Sequence, residues 1–281
     1  MLSLLEVIQK TADFLSKKTL ESPRLNAELL IGHALGLKRM QLYLQFERML
    51  SESELESIRT LVKRRGQREP LQYILGETEW SGLRLKVDRR ALIPRPETEM
   101  LIELLLSFME KPPSTILDMG TGSGVIALAL AKRFANAKVF AIDQSKEALE
   151  LAKDNAKALC VADQVHFFRS NWFEAVPSGA GFDAIVSNPP YLTQTEIEAA
   201  EPEVKAHEPI SALVSDEAGM ADLNKIISGA PTFLNAGGLL ALETGIDQHQ
   251  MLRTKLQAAG FGRIESRQDL TGRDRFMFAW I

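Results

Sequence analysis

Beyond residue 115 the chain alternates short apolar runs with longer amphipathic ones, and this alternation leaves few folds open to it. Ile116-Leu117-Asp118 reads as a strand and leads into a helix from Gly124. Lys138 to Ile142 reads as the next strand, followed by a helix from Ser145 to Leu159. Strands at Val165 to Phe168 and Phe182 to Val186 precede a helix near Ala221 to Leu234. A strand at Gly238 to Leu242, a helix from Asp247 to Ala259 and two closing strands near Arg263 and Phe276 complete the pattern. Repetition of this kind demands right-handed crossovers and a mainly parallel sheet covered on both faces, so the expected class is α/β.

The first part of the chain has a different texture. From Leu2 to about Arg65 apolar residues such as Leu4, Leu5, Ile8, Ala12, Phe14 and Leu15 recur at helical spacing, which predicts a bundle of four or five helices. Ser22-Pro23 and Ser51-x-x-Glu54 read as helix starts, the second as a capping box, and Gly36 as a stop. From Tyr73 the pattern becomes that of a hairpin, with Leu83, Leu85 and Val87 alternating with polar residues. Ile93-Pro94-Arg95-Pro96 follows, rigid and lacking two backbone donors, so it bridges domains rather than continuing a helix. The expected division is a helical domain over 1–72, a hairpin and Pro-rich linker over 73–96, and a catalytic domain over 97–281.

Formal charge divides along the same line. Of the chain's 281 residues, 1–95 carry 17 Lys/Arg against 12 Asp/Glu, and the remainder is acidic enough to bring the whole to −4. Opposite signs suggest surfaces that meet different partners. With one cysteine, Cys160, no intrachain disulfide is open to the chain and a reducing cytoplasm is the expected compartment. Met1 to Glu6 lacks the charged and apolar regions of a signal peptide, and no apolar run approaches the roughly 20 residues of a membrane span. His33, His166, His207 and His249 are scattered without metal-ligand spacing and read as structural, so no metal is expected.

Asp118-Met119-Gly120-Thr121-Gly122-Ser123-Gly124 ends one strand and opens a helix, at the carboxyl edge where doubly wound sheets bind ligands. Its Gly-x-Gly-x-Gly spacing departs from the dinucleotide fingerprint, and the acid before it suits a cationic ligand better than a pyrophosphate. Asp143, 19 residues after Gly124, stands where a carboxylate accepts both ribose hydroxyls, although Asp143-Gln144-Ser145 also reads as a helix cap. Asn171-Trp172 brings an amide and a large aromatic to the same edge, suited to hydrogen-bonding and covering adenine.

Phe182 to Ser187 runs directly into Asn188-Pro189-Pro190-Tyr191. The prolines stiffen the backbone, so that Asn188 Oδ1 and the Pro189 carbonyl both face a planar NH2 group while Tyr191 packs on it. Such a nitrogen is a poor nucleophile because its lone pair is delocalised, and two acceptors would raise its electron density and align it. The motif suits adenine N6, cytosine N4, guanine N2 or a glutamine amide without choosing among them. An isolated Asn-Pro-Pro is also compatible with a rigid turn.

The glycine loop, the acid after the next strand and the order of elements resemble a class I S-adenosylmethionine-dependent methyltransferase. That resemblance implies a Rossmann-like domain with a mainly parallel seven-stranded sheet. It also implies S-adenosyl-L-methionine held by Gly120, Thr121, Gly122, Ser123, Gly124, Asp143, Trp172 and Asn188. Over nearly all its length the chain further resembles the HemK/PrmC family of release-factor glutamine methyltransferases. The stretches that carry this are Glu69-Pro70-Leu71-Gln72-Tyr73-Ile74 with Gly76, Ile93-Pro94-Arg95-Pro96-Glu97-Thr98-Glu99, Glu208-Pro209-x-x-Ala212-Leu213, Glu243-Thr244-Gly245 and Asp269-Leu270-x-Gly272-Arg273-Asp274-Arg275. The implied reaction is N5-methylation of the glutamine in the Gly-Gly-Gln tripeptide of peptide chain release factors. Asn188, Pro189 and Tyr191 are then catalytic, Asn188 to Tyr191 bind the substrate amide, and the helical domain and hairpin contribute to docking a protein.

Departures from the family pattern are Ser215 to Met220, where a glycine-rich segment is common, Trp80 in place of Phe, and Asn171 in place of an acid. The basic run Lys63-Arg64-Arg65 with Arg68 reads either as a solvated helix end or as a contact for an acidic protein or RNA. A nucleic-acid amino methyltransferase is the competing expectation, and the acidic catalytic half counts against it, because phosphate contacts demand basic residues. The chain is expected to act as a monomer.

Overall fold

The computed structural model describes residues 2–281. They form two units: residues 2–77 together with Glu201–His207, and Thr78–Ala200 together with Glu208–Ile281.

In the first unit helices span Leu4–Lys17, Pro23–Leu35, Arg39–Tyr43, Glu52–Gly66 and Leu71–Leu75. Ser3 and Ser51 cap two of them reciprocally with Glu6 and Glu54, which satisfies backbone donors that a helix start leaves free. Gly36 ends the second helix with a φ of 65°. Ser22 begins that helix without capping it: its side chain makes no cap bond, and Asn26 Nδ2 instead reaches the Glu21 and Ser22 carbonyls. Apolar faces meet through Leu4, Ile8, Ile31, Leu42 and Leu50, with a second cluster around Leu15, Ala27 and Leu30. The hairpin texture expected from Tyr73 is corrected, since Leu71–Leu75 is a helical turn with Tyr73 and Ile74 buried. A short apolar run does not distinguish a strand from a buried helix.

In the basic run Lys63 is exposed at the helix end, as one expectation had it, while the arginines are engaged inside the unit. Arg64 pairs with Glu69 at 2.8 Å. Arg65, only 7% exposed, donates to Asn26 Oδ1 at 2.7 Å, to the Glu69 carbonyl at 3.0 Å and to Glu203 Oε1 at 3.0 Å. Arg68 reaches the Thr19 carbonyl and pairs with Glu201 and Glu203. Removing Arg65 leaves the Asn26 side-chain oxygen and the Glu69 carbonyl without its donors, while Glu203 keeps Arg68. Arg65→Met is therefore expected to destabilise the protein by about 2 kcal/mol, read as a lower midpoint in denaturant unfolding; an unchanged midpoint would show that water or Arg68 replaces its donors.

The second unit, from Thr78, takes in most of the hairpin β1 (Glu77–Trp80) and β2 (Leu83–Lys86). Trp80 Nε1 donates to the Arg95 carbonyl at 2.8 Å and Ser81 N to Glu99, so the hairpin is held to the Pro-rich stretch that follows it. Buried Asn155 accepts from Lys86 N and donates to the Lys86 and Ser123 carbonyls, joining the same hairpin to the glycine loop.

Seven strands make the main sheet: β3 (Thr115–Met119), β4 (Lys138–Asp143), β5 (Val165–Arg169), β6 (Phe182–Ser187), β7 (Leu234–Glu243), β8 (Arg263–Gln268) and β9 (Asp274–Trp280), in the order β5-β4-β3-β6-β7-β9-β8. All neighbours pair in parallel except β9, which is antiparallel to β7 and β8. Successive residues along a strand point to opposite faces. Ile116, Leu239, Ala241, Phe276 and Phe278 accordingly pack in one core layer, with Leu101 and Leu105 of the helix Pro96–Phe108 and Leu128 of the helix Val125–Arg133. Leu117, Leu240, Leu242, Met277 and Ala279 pack in the other, with Leu223 and Ile227 of the helix Ala221–Phe233 and Leu252 of the helix His249–Ala258. This is the expected α/β class with a mainly parallel seven-stranded sheet. The strand order turns between β3 and β6, and doubly wound sheets place ligands outside the carboxyl ends of strands at such a turn. Among the described residues no helix is long and apolar enough to cross a membrane.

Candidate active site

A cavity opens at this edge, lined from the sheet side by Gly120 to Ser123, Ile142, Asp143, Ser170 to Trp172, Asn188 and Pro190, and from above by Arg90 to Arg95 and by Pro209, Ser211 and Ala212. The glycine loop is shaped by a carboxylate beneath it. Asp118, wholly buried, accepts from Thr121 Oγ1 at 2.6 Å and from Ala127 N at 3.0 Å. It thereby caps a helix whose own cap residue, Gly124, has no side chain. Its other oxygen meets no protein donor, and burial pushes the carboxyl up to about 7. Asp118 is thus engaged with the loop and does not itself line the cavity. Gly124 has a φ of 88°, and a Cβ there would stand 3.1 Å from Ala152 and Leu128. Only glycine combines that backbone with so close an approach of the helix Lys146–Ala158.

Asp143 ends β4 inside the cavity. Its Oδ2 accepts from Gly122 N at 2.9 Å and its Oδ1 from Ser145 N at 2.8 Å, while Ser145 Oγ caps the next helix. Of the two readings of Asp143-Gln144-Ser145, the helix cap falls to Ser145, and Asp143 braces the glycine loop, a role the sequence did not suggest. Burial raises the Asp143 pKa against the pull of these backbone donors. A carboxylate has about four acceptor positions, so two backbone bonds leave room for two hydroxyls. Trp172, held at a φ of 49°, stands over the loop, with its ring 3.7 Å from where a Cβ of Gly120 would lie. Its Nε1 donates to Asp222 Oδ1 at 3.0 Å, and Asp222 also lines the cavity. Asn171 lines the cavity too, with its amide nitrogen on Glu174 at 2.7 Å.

Asn188 and Pro190 line the cavity, whereas Pro189 is buried and Tyr191 stands apart from its lining. Asn188 Nδ2 donates to Thr98 Oγ1 at 3.1 Å, and Thr98 Oγ1 donates to Glu243 Oε2 at 2.7 Å. Glu243 Oε1 accepts from the Tyr191 hydroxyl at 3.1 Å, and Arg275 Nη1 donates to that hydroxyl at 3.3 Å. Glu243 is 1% exposed; burial raises its pKa, opposed by Thr98, Tyr191 and the Arg275 charge. Burial likewise raises the Tyr191 phenol, with the Glu243 charge adding to the shift. Among the described residues no protein group donates to Asn188 Oδ1 or to the Pro189 carbonyl, so both remain free as acceptors.

Thr98 and Glu243 escape sequence reasoning about chemistry, although each lies in a stretch that carries the family resemblance. Glu243 ends β7, four residues before the helix signal at Asp247, and its partners lie 145 and 52 residues away. Glu208 is similar: it accepts from Ile93 N at 3.1 Å and pairs with Arg95 at 2.6 Å, fastening the Pro-rich linker beside the segment Pro209–Ala212.

The residues present fit an adenosyl cofactor bearing a sulfonium. Asp143 has spare acceptors, glycine backbone faces the cavity beside Trp172, and Ile126, Ile142 and Ala148 supply an apolar wall.

Residues 6–76 match the model of the PrmC N-terminal domain, and residues 98–205 that of the methyltransferase small domain. A release factor glutamine methyltransferase of Chlorobaculum tepidum is 40% identical over 97% of this chain and 95% of its own length. That of Vibrio cholerae is 42% identical over 91% of this chain and 88% of its own. Among solved structures, a 16S rRNA N2 methyltransferase (RsmC) of T. thermophilus in complex with AdoMet and guanosine matches with a TM-score of 0.52 at 19% identity. The match covers 73% of this chain and 49% of that one, and shows the fold alone. Relatives this similar over nearly the whole length, on a site of this construction, place the chain in the release factor glutamine methyltransferase family.

Proposed function

We propose that this protein transfers a methyl group from S-adenosyl-L-methionine to the side-chain amide N5 of the glutamine in the Gly-Gly-Gln motif of peptide chain release factors, giving N5-methylglutamine and S-adenosylhomocysteine. The carrying observation is Asn188: its nitrogen is committed to Thr98, leaving Oδ1 as a free acceptor beside a cavity suited to the cofactor. The cofactor, when bound, supplies an electrophilic methyl group. Asp143 binds its ribose, the backbone of Gly120, Thr121, Gly122 and Ser123 follows its length, and Trp172 covers its adenine. Asn188 Oδ1 and the Pro189 carbonyl accept hydrogen bonds from the two amide N–H groups of the substrate, which raises electron density on its nitrogen and aligns the lone pair; as the N–C bond forms the sulfonium S–C bond breaks, and one amide proton then leaves to solvent. Pro190 keeps the loop stiff, and Tyr191, anchored through Glu243, fixes its far end. The helical unit helps dock the protein substrate, and the enzyme works as a cytoplasmic monomer.

The test incubates the purified protein and methyl-labelled S-adenosylmethionine with a full-length release factor, with its variant lacking the Gly-Gly-Gln glutamine, and with duplex DNA. Label is expected in the first alone. Label in DNA, or undiminished label in the variant, overturns the glutamine assignment.

A further inference from the structure

Asn188 presents chemically opposite ends, oxygen and nitrogen, to its two sides, and something must decide which end meets the substrate. Thr98 Oγ1 lies within hydrogen-bond distance of both Asn188 Nδ2 and Glu243 Oε2, at 3.1 and 2.7 Å. A hydroxyl has one proton, and an ionised carboxylate only accepts. The Thr98 proton is therefore committed to Glu243, which leaves Thr98 Oγ1 an acceptor toward Asn188. Turned the other way, Asn188 would set its oxygen against the lone pairs of Thr98, with no proton between them. Tyr191 points its own hydroxyl proton at the other Glu243 oxygen while accepting from Arg275, so both ends of the acceptor loop are referred to one carboxylate.

We infer that Glu243, acting through Thr98, is a positioning residue that sets the polarity of the Asn188 amide, so that the site selects an acceptor bearing N–H groups. The inference rests on the amide-methylation reading and deepens it: the same relay that orients Asn188 makes the site suited to a carboxamide and unsuited to a carboxylate. The groups facing Glu243 are Thr98 and Glu97 from the helix Pro96–Phe108, Tyr191 from the acceptor loop and Arg275 from β9. Protonation of Glu243 would allow it to donate to Thr98 and free the Thr98 proton for Asn188, reversing the relay. Because burial raises this carboxyl, the reversal would occur above the usual carboxylate range as pH falls.

Thr98→Val keeps the shape and removes the hydroxyl; Thr98→Ser keeps the hydroxyl. Each full-length variant is compared with wild type for labelled methyl transfer to a release factor across pH, with cofactor affinity measured by calorimetry. Thr98→Val is expected to lower kcat about 10²-fold, the scale on which misalignment acts, with KM and cofactor affinity changed no more than a few-fold. The part of the acid-side fall in kcat that wild type owes to Glu243, read at saturating cofactor, is expected to vanish, since that carboxyl no longer reaches Asn188, while any part owed to Asp118 or Asp143 stays in both proteins. Thr98→Ser is expected to restore kcat to within a few-fold of wild type and to keep the acid-side fall. Undiminished kcat in Thr98→Val, equal losses in both variants, or an acid-side fall in Thr98→Val identical to that of wild type overturns the relay and leaves amide methylation standing. Absence of label with wild type overturns amide methylation, and the relay with it.

Discussion

Asn188→Ala is expected to cut methyl transfer by at least about 10³-fold, the scale of removing a positioned polar group together with the alignment it provides. Cofactor affinity should stay within a few-fold of wild type, because Asp143 and the glycine loop do not depend on this side chain. The fold should be little affected. Asn188 makes one side-chain hydrogen bond, and Thr98 retains its bond to Glu243 without it, so the expected loss of stability is about 1 kcal/mol. Single-turnover transfer and calorimetric titration with the cofactor separate these effects. A loss of cofactor affinity as large as the loss of rate would remove Asn188 from the acceptor side of the reaction.

Gly219→Ala should damage the site from behind. The segment Ser215–Met220 departs from the family pattern, and it turns through left-handed backbone at Glu217 (φ 54°), Ala218 (φ 55°) and Gly219 (φ 80°). Conformation alone does not demand glycine at 219, since its two non-glycine neighbours already adopt positive φ, at a cost of about 1–3 kcal/mol each. Proximity does. A Cβ on Gly219 would lie 2.2 Å from the Tyr191 carbonyl oxygen and 2.7 Å from Gln248 Nε2, the group that donates to both the Tyr191 and Gly219 carbonyls. The Tyr191 backbone must then shift, and with it the end of the acceptor motif. The expected result is a fall in kcat of about 10²-fold, as for other small displacements of an aligned site, with a lower unfolding midpoint. Ala218→Gly, in the same turn, relieves strain without meeting Tyr191 and should leave kcat near wild type. Equal activity of Gly219→Ala and wild type would show that this turn can yield without moving the acceptor loop.

Much of the fold was legible because the signals are local. The alternation from Ile116 onward, the capping boxes at Ser3 and Ser51 and the stop at Gly36 each depend on residues within one or two turns of each other. Misreadings occurred where a local signal had two solutions. Tyr73-Ile74-Leu75 is apolar enough for a buried strand or a buried helical turn, and packing in the helical unit chose the helix. The arginines after Lys63 look like a solvated cluster until Asn26, Glu201 and Glu203 take them up.

By itself the sequence determined the α/β class, the helical unit before it, and the placing of the glycine loop, Asp143 and Asn188 at strand-to-loop junctions. Each of these follows from periodicity or from a motif held within a single strand-to-loop junction. Only the tertiary structure decided what each polar group is for. It turned Asp118 into a support beneath the glycine loop, gave Asp143 a bracing role besides its spare acceptors, and brought Thr98, Tyr191, Glu243 and Arg275 together around one buried carboxylate. The physical reason is that a buried hydrogen bond depends on which donors the fold brings within 3 Å, and spacing along the chain carries no record of partners 145 residues apart.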